Sequence, residues 1–218
     1  MNVISFIATK SMGKSTNLHV LAERLLKMNV PVHIIDADPQ SSQAKFVSEA
    51  QEHYSTLSFT PWEVLNATQE PAVVLYDTVE QKAEEQGVLL IDVQGSDNDL
   101  LTQGASLADL VLVPMVDGPL EREATKATFK RLKMLERMLK RKLNAKIYYA
   151  AVPPFGLSKV AQSVIDQAAQ IDFEFLGSHL MARREFKYLC ETGTLNSARP
   201  EVLKIADTWQ KAVGEALL

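Results

Sequence analysis

The chain has 218 residues, 46% of them hydrophobic and 23% charged, with a formal net charge of −4 and one cysteine. That length suits one domain with a sizeable core, and a lone Cys190 excludes a disulfide framework. No apolar run approaches a membrane span, and no basic region precedes a long apolar stretch at the N-terminus, so the sequence predicts a cytoplasmic protein without stable membrane association.

Val3-Ile4-Ser5-Phe6-Ile7 is an apolar run that predicts a buried strand. Ala8-Thr9-Lys10-Ser11-Met12-Gly13-Lys14-Ser15-Thr16 follows, and helical spacing runs from Leu18 to Met28. A strand, a loop ending Gly-Lys-Ser and a helix are the parts of a phosphate-binding loop, although Ala8 stands where the usual first glycine would be. Ser11, Met12, Gly13, Lys14, Ser15 and Thr16 are the candidate nucleotide-binding residues. Amides at the helix start would face the phosphates, Lys14 would reach the β- and γ-phosphates, and the Ser15 hydroxyl would ligate magnesium.

A second strand, Val32 to Ile35, ends at Asp36-Ala37-Asp38-Pro39-Gln40, and the polar stretch 41–53 predicts a helix. Leu57 to Thr60 can form a short strand before Pro61, and 72–86 has a helical pattern. Val88 to Asp92 is a third strand, followed by the loop at Gly95 and a helix over 99–107. Leu110 to Pro114 is a strand, and Pro119 opens a helix running to Leu143. Phe129, Leu132, Leu135, Met138, Leu139 and Leu143 are its expected apolar stripe. Ile147 to Val152 is a strand, 158–170 a helix, 173–176 a short strand, and helices are expected over 184–191 and 200–217. Apolar strands alternating with helices predict a single-domain, three-layer α/β/α fold over 1–218 with a mostly parallel sheet. Ligands of such sheets bind at the carboxyl ends of strands, where the loop, the aspartates Asp36 and Asp38, and Asp92 collect.

Residues 126–146 hold nine basic side chains against one acid, Glu136, in an otherwise acidic chain. Lys130, Lys133, Arg137, Lys140 and Arg141 are the candidate contacts to the phosphate backbone of DNA. Tyr148, Tyr149, Pro153 and Phe155 are candidate neighbours of a nucleotide base, after a late strand. The final helix, with Val202, Ala206, Trp209 and Val213, is expected to pack on the domain rather than on a membrane.

Together, Lys10 with Gly13-Lys14-Ser15-Thr16, Asp36-Ala37-Asp38-Pro39-Gln40, Leu90-Ile91-Asp92 with Gly95, and Ala108 to Pro114 with Pro119-Leu120 resemble the ParA/MinD family of deviant Walker-A P-loop ATPases. The likeness is strongest to short ParA-type plasmid partition proteins and to accessory ATPases of conjugative DNA processing, and it covers most of residues 1–135; Arg183 to Gly193 resembles a late segment of the same proteins. It implies ATP and Mg²⁺ as cofactors, an ATP-dependent homodimer, non-specific DNA binding by that dimer, and an adaptor or centromere-binding protein that stimulates slow hydrolysis. It implies catalytic roles for Lys14, Asp38 and Lys10, and metal roles for Ser15, Asp36 and Asp92. The family's cross-subunit lysine falls on Lys10 if the loop is one residue short, or on Thr9 by a gap-free count back from Lys14. Ser11 and Met12 stand near family glycines, so their side chains are expected to crowd a second subunit and leave a weakly hydrolysing switch or scaffold.

Overall fold

Seven strands form one parallel sheet in the order β3-β2-β4-β1-β5-β6-β7 in the computed structural model. The structure describes all residues except 9–11, 94–98, 117, 153–157 and 171–172. In chain order the strands are β1 Asn2–Phe6, β2 Val32–Ala37, β3 Leu57–Thr60, β4 Val88–Val93, β5 Leu110–Met115, β6 Ala145–Val152 and β7 Glu174–Met181. The helices are α1 Lys14–Lys27, α2 Ala44–Gln51, α3 Trp62–Leu65, α4 Pro71–Ala83, α5 Asp99–Leu107, α6 Pro119–Leu139, α7 Lys159–Ala169, α8 Arg184–Thr192 and α9 Pro200–Ala216.

Every residue of β2, β4 and β5 is buried, as a sheet covered on both faces requires. Alternate residues of each strand therefore enter different cores. Ile4, Phe6, Ile34, Leu90 and Leu112 join the core under α1, α2, α8 and α9. Val3, Ile35, Leu89, Ile91 and Val113 join the core on the opposite face, under α4 to α7. The final helix is part of the first core: Val202, Ala206, Trp209 and Val213 are buried, and the Trp209 ring lies 4.8 Å from that of Tyr148. No helix among the described residues is long and apolar enough to cross a membrane.

Three sequence expectations are corrected. Helix α6 ends at Leu139, because Lys140 takes the left-handed conformation (φ 53°) and turns the chain toward β6. Its apolar stripe is correspondingly shorter: Phe129, Leu132 and Leu135 are buried, whereas Met138 is 67% exposed and Leu139 lies at the surface. Tyr148 and Tyr149 are fully buried on opposite faces of β6, one in each core, and are not at a nucleotide base. A short helix, α3, also forms between Pro61 and Asn66, a stretch given no element from the sequence.

His33 is buried between β2 and β3, with Nδ1 2.6 Å from Ser58 Oγ and Nε2 2.9 Å from Thr60 Oγ1. Burial, aided by Lys82, lowers its pKa to about 4. The unfolded imidazole takes a proton near pH 6.5 and the folded one does not, so acid favours the unfolded chain. His33→Gln is expected to gain stability relative to the wild type as pH falls from 6.5 to 4, read from the difference in urea midpoints. A pH-independent difference would show that His33 is not held neutral in the fold.

Candidate functional site

Strand β1 delivers the chain to the loop at the centre of the sheet, between β4 and β5. Gly13 sits just before α1 with φ 78° and ψ 18°. A Cβ there would meet only ordinary contacts, the nearest being Ala150 Cβ at 3.5 Å, so glycine is required by its backbone conformation and not by space. Asn17 fastens the turn: its Nδ2 donates to the carbonyls of Gly13 (2.8 Å) and Ala150 (3.1 Å). The α1 amides then stand free at the helix N-terminus, with no side chain capping them.

Met12 does not project outward. It is 2% exposed and packs with Ala8 and Ala124, and Thr125 Oγ1 lies 3.8 Å from its sulfur. The expected crowding of a second subunit by this side chain is therefore corrected: the loop turns Met12 into the protein. Lys10 and Ser11 lie outside the described residues.

Asp92 is the point on which the site converges. It pairs in register with Phe6 on one side and Asp36 on the other. Its Oδ2 accepts from Ser15 Oγ at 2.8 Å, Gln43 Nε2 at 2.5 Å and Ser42 Oγ at 3.4 Å. Its Oδ1 faces Lys14 Nζ at 3.7 Å, and both side chains are almost fully buried. Burial raises the Asp92 pKa, while Lys14, Ser15 and Gln43 pull it back. Asp92 Oδ1 is a buried carboxylate oxygen with no hydrogen-bond donor among the described residues. A buried carboxylate whose Oδ1 has only the Lys14 ammonium before it, with a serine hydroxyl against its Oδ2, supplies the hard oxygen donors that a divalent cation such as Mg²⁺ takes.

Asp36 is bound to the loop that follows it. Its Oδ1 accepts from the Asp38 amide at 3.2 Å and its Oδ2 from the Gln43 amide at 3.0 Å. Burial pushes its pKa up to about 7, Asp92 adds to the rise, and the Gln43 and Asp38 amides oppose it. Asp36 thus shapes the loop 38–43. Asp38 heads that loop, half-exposed, and its Oδ1 accepts from the Gln40 amide at 3.0 Å. The turn closes with Ser41 at φ 48°, its amide bonded to the Asp38 carbonyl.

A cavity of about 480 Å³ opens beside Gly13, lined by Thr16 and Asn17 from α1, Met181 and Arg183 after β7, and Phe186 and Tyr188 from α8. Gly193 caps α8 at φ 63° and lies so close to α2 that a Cβ would fall 2.4 Å from the Ala50 amide nitrogen, which fixes the helix lining the cavity. Sequence reasoning placed the base at Pro153 and Phe155, which lie outside the described residues, and missed this wall of α8. It also missed Asn17, Ser42 and Gln43, whose contacts join segments far apart in the chain.

The basic face of α6 divides in two. Lys133 is held by Glu136 (2.8 Å) and lies over the Phe173 ring at 4.8 Å, and Arg141 donates to the Ser106 carbonyl at 2.6 Å. Lys130, Arg137 and Lys140 are exposed and make no ion pair among the described residues.

No protein-family model matches the chain. It is 25% identical over 183 residues to the protein ParA of Rhizobium radiobacter, covering 83% of this chain and 78% of that protein. Among solved structures it is similar to apo McdA of Cyanothece (TM-score 0.75, 18% identity, 98% of this chain and 100% of that one). It is also similar to a plasmid partition protein of Borrelia burgdorferi bound to AMPPNP (TM-score 0.71, 16% identity, 98% of each chain). A third is the septum site-determining protein MinD of Pyrococcus horikoshii complexed with Mg-ADP (TM-score 0.70, 14% identity, 99% and 98%). The chain is thus similar to ParA over most of its length, shares the parallel-sheet fold of these structures, and carries a Gly13-Lys14-Ser15 loop that faces Asp92.

Proposed function

We propose that the protein is an ATP-dependent switch that hydrolyses ATP slowly and acts in DNA segregation, of the plasmid-partition kind. The observation that carries this reading is the convergence of Lys14 and Ser15 on buried Asp92, with Asp38 on the neighbouring strand end. The α1 amides and Lys14 would hold the phosphates, and the cavity between α1 and α8 would take the base and ribose. Ser15 Oγ and Asp92 Oδ1 would hold Mg²⁺, which when bound neutralises phosphate charge. Asp38 would orient the attacking water and accept its proton. The ParA relative and the partition protein of Borrelia support the segregation role, and the bound AMPPNP and Mg-ADP of the structural relatives support the nucleotide and the metal.

The ATP-bound form would dimerise and bind DNA without sequence preference through the exposed cations of α6, and an adaptor protein would stimulate its reset. Phosphate release and DNA retention, measured with ATP, with ADP and without nucleotide, test this reading together. ATP-dependent retention and slow phosphate release are the expected results; retention indifferent to nucleotide would overturn the switch. Asp38→Ala is expected to bind ATP as the wild type does and to release phosphate about 100-fold more slowly. Wild-type turnover in that variant would remove Asp38 from the chemistry.

A further inference from the structure

Gln43 is the most constrained polar side chain near the site. It is fully buried and lies in the segment that follows the Asp38 turn. Its backbone amide donates to Asp36 Oδ2 at 3.0 Å, and its Nε2 donates to Asp92 Oδ2 at 2.5 Å. Its Oε1 lies 2.8 Å from His19 Nε2, inside the fold. The orientation of the amide follows from its partners. A carboxylate accepts only, so the NH₂ group must face Asp92 and the carbonyl must face His19. His19 must then carry its proton on Nε2, and its ring is itself fixed, stacked on Phe46 of α2 at 4.2 Å and 17°. One side chain thus ties α1, α2, the Asp38 loop and the end of β4 together.

The consequence falls on Asp92. Ser15, Ser42 and Gln43 all approach Oδ2, and Oδ1 alone is left toward Lys14. Without the Gln43 amide the carboxylate loses its shortest donor and keeps only the two serine hydroxyls on Oδ2, so its plane is free to tilt away from this setting.

We propose that Gln43, anchored by His19, is a positioning residue that holds Asp92 with Oδ1 presented to the metal and keeps the Asp38 loop in register with it. The proposal rests on the nucleotide-binding reading above. Outer contacts of this kind set the orientation of a ligating carboxylate, and their loss costs about 10- to 100-fold in metal affinity or activity. Apart from a 3.4 Å contact of Gln43 Nε2 with Ser42 Oγ, the two side chains bond only each other and Asp92 among the described residues; neither lines the cavity beside Gly13, and both are buried.

The test uses the full chain and a fluorescent ATP analogue, titrated in EDTA and then with increasing Mg²⁺. Gln43→Met keeps the side chain's length and apolar packing and removes the amide. It is expected to bind the analogue in EDTA within about twofold of the wild type, and to need about tenfold more Mg²⁺ for half-maximal effect. Its phosphate release is expected to fall about tenfold with KM for ATP at saturating Mg²⁺ unchanged. His19→Phe leaves Gln43 in place but unanchored, and is expected to shift the Mg²⁺ midpoint in the same direction. His19→Gln, which restores a donor, is expected to recover part of it. A merely structural role would lower Tm and weaken binding equally in both conditions. An unshifted Mg²⁺ midpoint in folded Gln43→Met, or in His19→Phe should Gln43→Met not fold, would overturn the proposal. A wild-type protein that binds no analogue in either condition would overturn the nucleotide reading, and this proposal with it.

Discussion

Lys14→Ala is expected to reduce ATP hydrolysis by about 100- to 1,000-fold, because it removes a preorganised cation from a water-poor site where phosphate charge is handled. The same change acts on the empty protein. Lys14 is only 5% exposed and is the cation facing Asp92, at 3.7 Å. Its loss leaves a buried carboxylate without a counter-charge, which costs about 3 kcal/mol of stability at pH 8. The cost should shrink on acidification. Burial already raises the Asp92 pKa above that of a free carboxylate. A group raised in this way favours the fold at low pH, where it is protonated, and loses that contribution as pH rises through its folded pKa. Lys14→Ala removes the cation that opposes this rise, so its stability deficit should be larger at pH 8 than at pH 5. Urea unfolding at both pH values checks it. An equal deficit would mean that Lys14 does not compensate Asp92 before nucleotide arrives.

Reversing Lys130, Arg137 and Lys140 to Glu is expected to abolish ATP-dependent DNA retention at physiological salt. Each phosphate contact adds about 0.9 to the slope of log affinity against log salt, so three lost contacts per protomer, six in the dimer, should flatten that slope by about five. The choice of these three comes from the structure. Lys133 has the same charge but is occupied by Glu136 and the Phe173 ring. Lys133→Gln should therefore leave the salt slope unchanged while loosening α6 against Phe173. Retention measured as a function of salt, with nucleotide held constant, distinguishes the two outcomes. If the triple variant is retained like the wild type, α6 is not the DNA surface.

The contrast between Lys133 and its neighbours shows what a sequence can and cannot carry. The strands β2, β4 and β5 were legible because burial on both faces leaves unbroken apolar runs. The loop, Asp38 and Asp92 were legible because local spacing sets them at strand ends. The length of α6 was not, because the left-handed turn at Lys140 has no glycine to announce it. Tyr148 and Tyr149 were read as neighbours of a base from their place on a late strand; β6 instead sends one ring into each core. Gln43 reaches across 49 residues to Asp92, and no local pattern encodes such a contact. Asp36 was read from its motif as holding the magnesium shell or the switch; that each of its oxygens also accepts a backbone amide of the following loop is a contact the motif does not spell out.

The burial of Met12 bears on when the phosphate loop becomes ordered. A glycine at this position would keep its freedom until a ligand arrived, and binding would bear the entropy of fixing it. Met12 is instead clamped by Ala8, Ala124 and Thr125 as the chain folds. Part of the ordering cost is thereby moved from ligand capture to folding, where the apolar burial of the side chain offsets it. The clamp also joins the end of the loop to the first turns of α6. The floor of the loop beside Gly13 is therefore set by packing against the helix that bears Lys130 and Arg137 before any ligand is bound.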